Sequence, residues 1–118
     1  MEITLAIVGT AGRKDDAKKL SKKHFEAMCC IAEGLLEQLA ESNYPISHLV
    51  SGGAAWADHV AVRLFLDKKA PHLRLFLPAT WEGNAYADTG ERDPFKNPGG
   101  TANYYHKLFQ SATLIHSL

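Results

Sequence analysis

Three short apolar runs punctuate this chain: residues 3–8 (ITLAIV), 46–51 (ISHLVS) and 73–77 (LRLFL). Stretches of helical periodicity separate them. Short runs without polar alternation read as strands buried on both faces, the kind found in parallel sheets. Between the first two, Phe25, Met28, Ala32, Leu35, Leu36 and Leu39 recur at three- and four-residue spacing. That stripe predicts a helix over 21–41. Ser21 is its N-cap, and Leu20 packs on Phe25 as a hydrophobic staple. Asn43 and Pro45 close it. A second helix is predicted over 54–68, with Ala57, Val60, Ala61, Leu64 and Phe65 on one face. Strand, helix, strand, helix, strand implies an α/β fold with right-handed crossovers.

The rest of the chain is less regular. Residues 10–20 are polar, basic and glycine-containing, and read as a loop. Residues 79–101 hold four glycines and two prolines with little periodicity. A loop that long is functional or mobile. A short helix is expected over 102–111, with Tyr105, Leu108 and Phe109 inward, and a fourth strand over 113–118. Three or four strands are few for a doubly wound sheet. The expectation is completion by oligomerisation or by further chain, with a homo-oligomer as the partner state.

Composition narrows the function classes. Thirteen basic residues balance thirteen acidic ones in 118. A zero net charge argues against gripping nucleic acid through bulk charge. No apolar run approaches the roughly 20 residues of a membrane span. The apolar start lacks the basic region and cleavage site of a signal peptide, so a cytoplasmic location is expected. Cys29 and Cys30 are adjacent in a predicted helix, which excludes a disulfide framework and a multi-cysteine zinc site.

Parallel sheets bind ligands at the carboxyl ends of their strands. Two glycine turns occupy such ends. Gly9, Thr10, Gly12 and Arg13 follow the first strand. Ser51, Gly52, Gly53 and Ala54 follow the second and open a helix. Glycine admits close backbone approach, and free N–H groups at a helix start suit anions. Thr10 and Ser51 add hydroxyls, and Arg13 adds a fork for phosphate.

Residues 49–62 (LVSGGAAWADHVAV) resemble the hallmark of the SLOG superfamily, at Ser51, Gly52, Ala54 and Asp58. These are Rossmann-like domains shared by the DNA-processing protein DprA, the Lonely Guy phosphoribohydrolases and nucleotide sensors of prokaryotic conflict systems. The opening LAIVGTAGR is similar to the superfamily's first strand and turn, and LRLFLPA to its third strand. The resemblance covers about the first 80 residues. It implies a three-layer Rossmann-like sandwich, with a nucleotide or nucleotide-derived molecule at the two turns and Asp58 near its ribose. The chain departs from the pattern at Ala55 and Trp56, where the hallmark carries Arg and a second Gly. Trp56 is expected at the rim, where it stacks on a base. Pro98, Gly99, Gly100 and Thr101 resemble the start of the phosphoribohydrolase motif and offer a third pocket wall. The motif's Glu does not follow; Tyr104 and Tyr105 occupy that region. Hydrolase activity is therefore not carried over.

Other constellations are weaker. A glycosidic-bond hydrolase of the Lonely Guy type is the alternative function. It needs a carboxylate opposite the turns, and Glu82, Asp88, Glu91 and Asp93 are the candidates. A DprA-like single-strand binder is a further alternative. It would use Arg13, Lys14, Lys18, Lys19, Lys22 and Lys23, but aromatic interleaving is missing there. Six histidines (His24, His48, His59, His72, His106, His116) form no HxxxH or HxH pair, so no metal is expected, and no resident cofactor either. The Walker loop and the G-x-S-x-G elbow are absent.

Overall fold

The computed structural model describes residues 2–115. It is an α/β fold: β1 (Ile3–Ala6), α1 (Asp16–Lys19), α2 (Lys22–Glu41), β2 (Ile46–Gly52), α3 (Ala57–Leu66), β3 (His72–Phe76), a 3-10 turn (Pro94–Lys96) and α4 (Pro98–Thr113). The three strands form one parallel sheet in the order β1-β2-β3.

Both crossovers step in the same direction across the sheet. Right-handed connections therefore lay α2 and α3 on the same face, where they pack on each other. This corrects the expectation of strands buried on both sides. Burial in β1 and β3 alternates instead: Ile3, Leu5 and Leu73 face the core, while Thr4, Ala6, His72 and Arg74 are exposed. No third layer is formed among the described residues. The core gathers Leu49 from β2, Phe25 and Leu36 from α2, Val60, Ala61 and Leu64 from α3, and Phe109 from α4. Each large aliphatic or aromatic side chain buried there contributes about 1.5–3 kcal/mol.

The α2 stripe behaves as its spacing predicts at Phe25 and Leu36, but Leu35 remains 43% exposed. The N-cap is Ser21, whose N–H donates to His24 Nδ1 at 3.1 Å. The stretch 10–20 is not all loop, because one turn of helix, α1, interrupts it. Phe65 leaves the core face of α3 and is 37% exposed.

Helix α3 starts three residues later than the sequence suggests, at Ala57, because the chain first turns through Trp56 with φ 60°. Helix α4 starts earlier, at Pro98. Proline suits a first helical position, and Asn97 caps the helix by accepting from the Gly100 N–H at 3.0 Å. Its inward face carries Ala102, His106, Phe109 and Thr113, rather than Tyr105 and Leu108. Thr113 belongs to α4, and Leu114 ends it in a left-handed conformation, so the expected fourth strand does not begin there. Residues 116–118, His116 included, lie outside the described residues.

The long loop is pinned at both ends. Glu82 N–H bonds the Ala85 carbonyl (2.8 Å) and Ala87 N–H the Thr80 carbonyl (2.7 Å), closing a small hairpin. Tyr86 then exchanges two 2.9 Å hydrogen bonds with the Asn103 side chain on α4. Asn97 Nδ2 donates to Asp88 Oδ1 at 2.7 Å and to the Glu91 carbonyl at 3.2 Å. No helix is long and apolar enough to cross a membrane among the described residues.

Candidate functional site

The two glycine turns meet different fates. After β2, the turn is filled by the protein's own groups. Asp58, one turn into α3, aims its carboxylate back at the strand end. Ser51 Oγ lies 3.0 Å from Asp58 Oδ1 and also bonds the Ile7 carbonyl; the Ala54 N–H reaches Asp58 Oδ2 at 3.3 Å. An internal carboxylate thus stands where the sequence predicts a ligand anion. It also explains Gly52, since a Cβ there would sit 2.6 Å from Asp58 Oδ2. The Gly53 carbonyl accepts two further bonds, from Tyr86 Oη at 2.7 Å and from His106 Nε2 at 2.8 Å. A Cβ at Gly53 would strike the Tyr86 hydroxyl at 1.9 Å. Burial, followed by the Asp58 charge, raises the Tyr86 phenol above its ordinary pKa, so it remains a donor.

Trp56 is not at the rim. It is 2% exposed and packs edge-on against Phe25 and Phe109, at 6.5 and 4.9 Å between centroids. Its φ of 60° is strained for a bulky residue, a cost of order 1–3 kcal/mol that the surrounding core must offset. Ala55 is also buried. Trp56 therefore offers no face to a base.

The first turn rests on this tryptophan. Gly12 has φ 74°, and a Cβ there would meet the indole Nε1 at 2.2 Å. Gly9 lies against the Ala57 Cβ. The Thr10 carbonyl accepts from the Ala57 N–H at 3.0 Å, and its hydroxyl bonds Asp16. Gly12 N–H bonds Thr10 Oγ1 at 3.1 Å. The turn thereby presents Arg13 outward. Its guanidinium lies over the Tyr105 ring, 5.1 Å from the centroid.

Arg13 and Tyr105 belong to a cleft of about 590 Å³ between this turn, the long loop and the start of α4. Of the residues expected at a site, Arg13, Gly100 and Thr101 line it; Gly9, Thr10, Gly12, Ser51, Gly52, Gly53, Ala54, Trp56 and Asp58 do not. Gly99 is buried under the Ala87 carbonyl, where a Cβ would come within 1.7 Å, so its role is close packing. The cleft adds Lys14 and Arg92 as cations, and Phe95 and Tyr104 as aromatics. Phe95 is 96% exposed. The aromatic signal lay in the sequence at Tyr104 and Tyr105; its pairing with Arg13, some ninety residues away, had no local sign.

Of the four loop carboxylates, Asp88 and Glu91 line the cleft and Glu82 and Asp93 do not. Asp88 accepts from the Gly90 N–H (2.8 Å) and the Asn97 amide (2.7 Å), which hold its carboxyl below the usual range. Such an acceptor orders the loop and is a poor general base. Asp93 caps the 3-10 turn through the Phe95 N–H at 3.0 Å. The six basic residues of the run 13–23 are exposed; Arg13 lies over Tyr105, and Lys22 pairs with Glu26 at 3.9 Å.

Uncharacterized protein R261 of Acanthamoeba polyphaga mimivirus is 37% identical over 118 residues, which is 99% of this chain and 61% of that protein. The chain thus spans about 61% of the length of the curated relative it matches. No protein-family model matches the sequence, and no solved structure matches it.

Proposed function

We propose that the Arg13–Tyr105 cleft binds a nucleotide or nucleotide-derived small molecule, in the manner of a sensor domain. The observation that carries this reading is the Arg13 guanidinium stacked on Tyr105 at the mouth of a cleft of ligand size. Arg13, Lys14 and Arg92 offer charge to a phosphate. Phe95, Tyr104 and Tyr105 offer faces to a base, and base–aromatic stacking contributes about 1–3 kcal/mol. The reading takes the sheet as the core of a Rossmann-like, SLOG-type domain. Two features support that: the parallel order β1-β2-β3, and the glycine-like φ of Trp56, at the position where the resembled hallmark carries glycine. It moves the binding surface from both turns to the first turn and the α4 start.

The test is native mass spectrometry of protein purified without denaturation, followed by titration with ribonucleoside mono- and triphosphates. Binding that falls about tenfold or more in both Arg13→Ala and Tyr105→Ala is expected, as removal of a charged hydrogen-bonding group costs about 1.5–3 kcal/mol. Absence of binding at millimolar nucleotide, or equal binding by Arg13→Ala, overturns it.

A further inference from the structure

Helix α2 turns a second face away from the core. Lys23, Ala27, Ile31, Gly34, Gln38 and Glu41 recur at three- and four-residue spacing, so they share one side of the helix, while Phe25, Ala32, Leu36 and Leu39 hold the core side. All six are exposed except Gly34, which is half-buried. Ile31 is 75% exposed. With Val8, Met28 and Leu35 it lines an apolar groove of about 380 Å³ between α2 and residues 5–8. We propose that this face of α2 docks on the same face of a second copy of the chain, the two helices running antiparallel.

The charges single out that partner. A helix favours anions at its N-terminus and cations at its C-terminus. Helix α2 reverses both. Lys22 and Lys23 stand in its first turn and Glu41 at its end, with no acid in the first turn and no base in the last. Lys22 is relieved by Glu26 at 3.9 Å, and Glu33 by Lys69 at 2.9 Å. Lys23, Glu37 and Glu41 make no ion pair among the described residues. An antiparallel second α2 supplies what is missing. It sets the acidic end of one helix beside the basic end of the other, with the helix dipoles opposed. A parallel pair would set Lys23 against Lys23 and Glu41 against Glu41. A chain of zero net charge faces no overall repulsion on pairing with itself.

The small residues fit the same register. Gly34 lies inside a helix, where glycine is destabilising relative to alanine. Its φ is not left-handed, and a Cβ there would meet nothing within 4 Å, so no contact within the chain requires it. It leaves a notch beside Ile31. Let the two-fold axis pass between Ala32 and Glu33. Ile31 of one copy is then level with Gly34 of the other and close to its Leu35, and Ala27 is level with Gln38. Lys23 lies within one residue's rise, about 1.5 Å along the axis, of Glu41 of the second copy. Each contact occurs twice, as a two-fold interface requires. This face shares no residue with the Arg13 cleft.

Sedimentation equilibrium of the whole protein, thiols kept reduced, tests it. A monomer–dimer equilibrium with a micromolar Kd is expected at low salt, weakening as salt rises. Ile31→Glu should weaken it at least about tenfold, since the change acts on both sides of the two-fold axis. Lys23→Glu and Glu41→Lys should each weaken it about fivefold. The double variant Lys23→Glu/Glu41→Lys should restore it, because the antiparallel pairs re-form with their signs exchanged. Glu82→Lys, the same charge change on the long loop, should leave it unchanged. All these positions are exposed, so the variants should keep the fold, which far-UV circular dichroism checks. A chain that stays monomeric up to about 100 µM, or a dimer undiminished by Ile31→Glu, overturns the proposal. Charge variants that weaken the dimer without rescue by the double variant overturn the antiparallel arrangement.

Discussion

The two glycine turns begin alike. Each follows a parallel strand, each is glycine-rich, and each has a hydroxyl residue nearby. One is closed and the other open. After β2, Asp58, Tyr86 and His106 satisfy the turn from within. After β1, the turn bends over Trp56 and presents Arg13 to a cleft. The difference teaches that a glycine is not itself a sign of a ligand. Gly52 and Gly53 are explained by the chain's own carboxylate and phenol, and Gly12 by its own indole.

Trp56 joins the two turns, so its removal affects both. Trp56→Ala should cost about 3–5 kcal/mol of unfolding free energy, read by urea denaturation. A loss under 1 kcal/mol would mean that the turns are held independently. The closed turn also sits beside buried imidazoles. Burial lowers the His59 pKa from 6.5 to about 4, aided by the charges of His106 and Arg63. His106 shifts in the same direction, again through burial first. The unfolded chain therefore takes up protons below about pH 6.5 that the folded chain refuses. The stability from a neutral His59 is full above that pH and is lost as pH falls toward 4, to the extent of about 3 kcal/mol. Stability measured from pH 7 to 4 should fall less steeply in His59→Gln.

The smallest effects separate the turns most cleanly. Asp58→Ala leaves the Ala54 N–H without its acceptor, while the Ser51 hydroxyl keeps the Ile7 carbonyl, and should cost about 1–3 kcal/mol, with nucleotide affinity unchanged. Arg13→Ala should do the reverse, changing stability by no more than about 0.5 kcal/mol while losing the ligand. If Asp58→Ala instead creates a new anion site, the closed turn is a competent site held shut.

The sheet and its helices were legible because their signals are periodic. Phe25 and Leu36 in α2, and Val60, Ala61 and Leu64 in α3, stand where the spacing puts them. The expected start of α4, at 102, falls four residues late, although Asn97-Pro98 is a cap followed by a first-turn proline. The start of α3 was not legible: nothing in AAWAD announces a tryptophan with positive φ, which only the packing of Phe25 and Phe109 makes tolerable. The site was half legible. Arg13 was in view, but Tyr86 and His106 reach Gly53 across 33 and 53 residues, and local pattern carries no trace of such contacts.

The seating of Gly12 on the Trp56 indole has a consequence for how binding would register. A loop that opens by itself lets a ligand act locally. Here the turn that presents Arg13 is propped on one of the most deeply buried rings of the core. The buried Gly12 amide, bonded to Thr10 Oγ1, should exchange with solvent chiefly when the whole domain opens. Occupancy of the cleft would then be felt by the entire fold, as a rise in melting temperature that grows with ligand concentration.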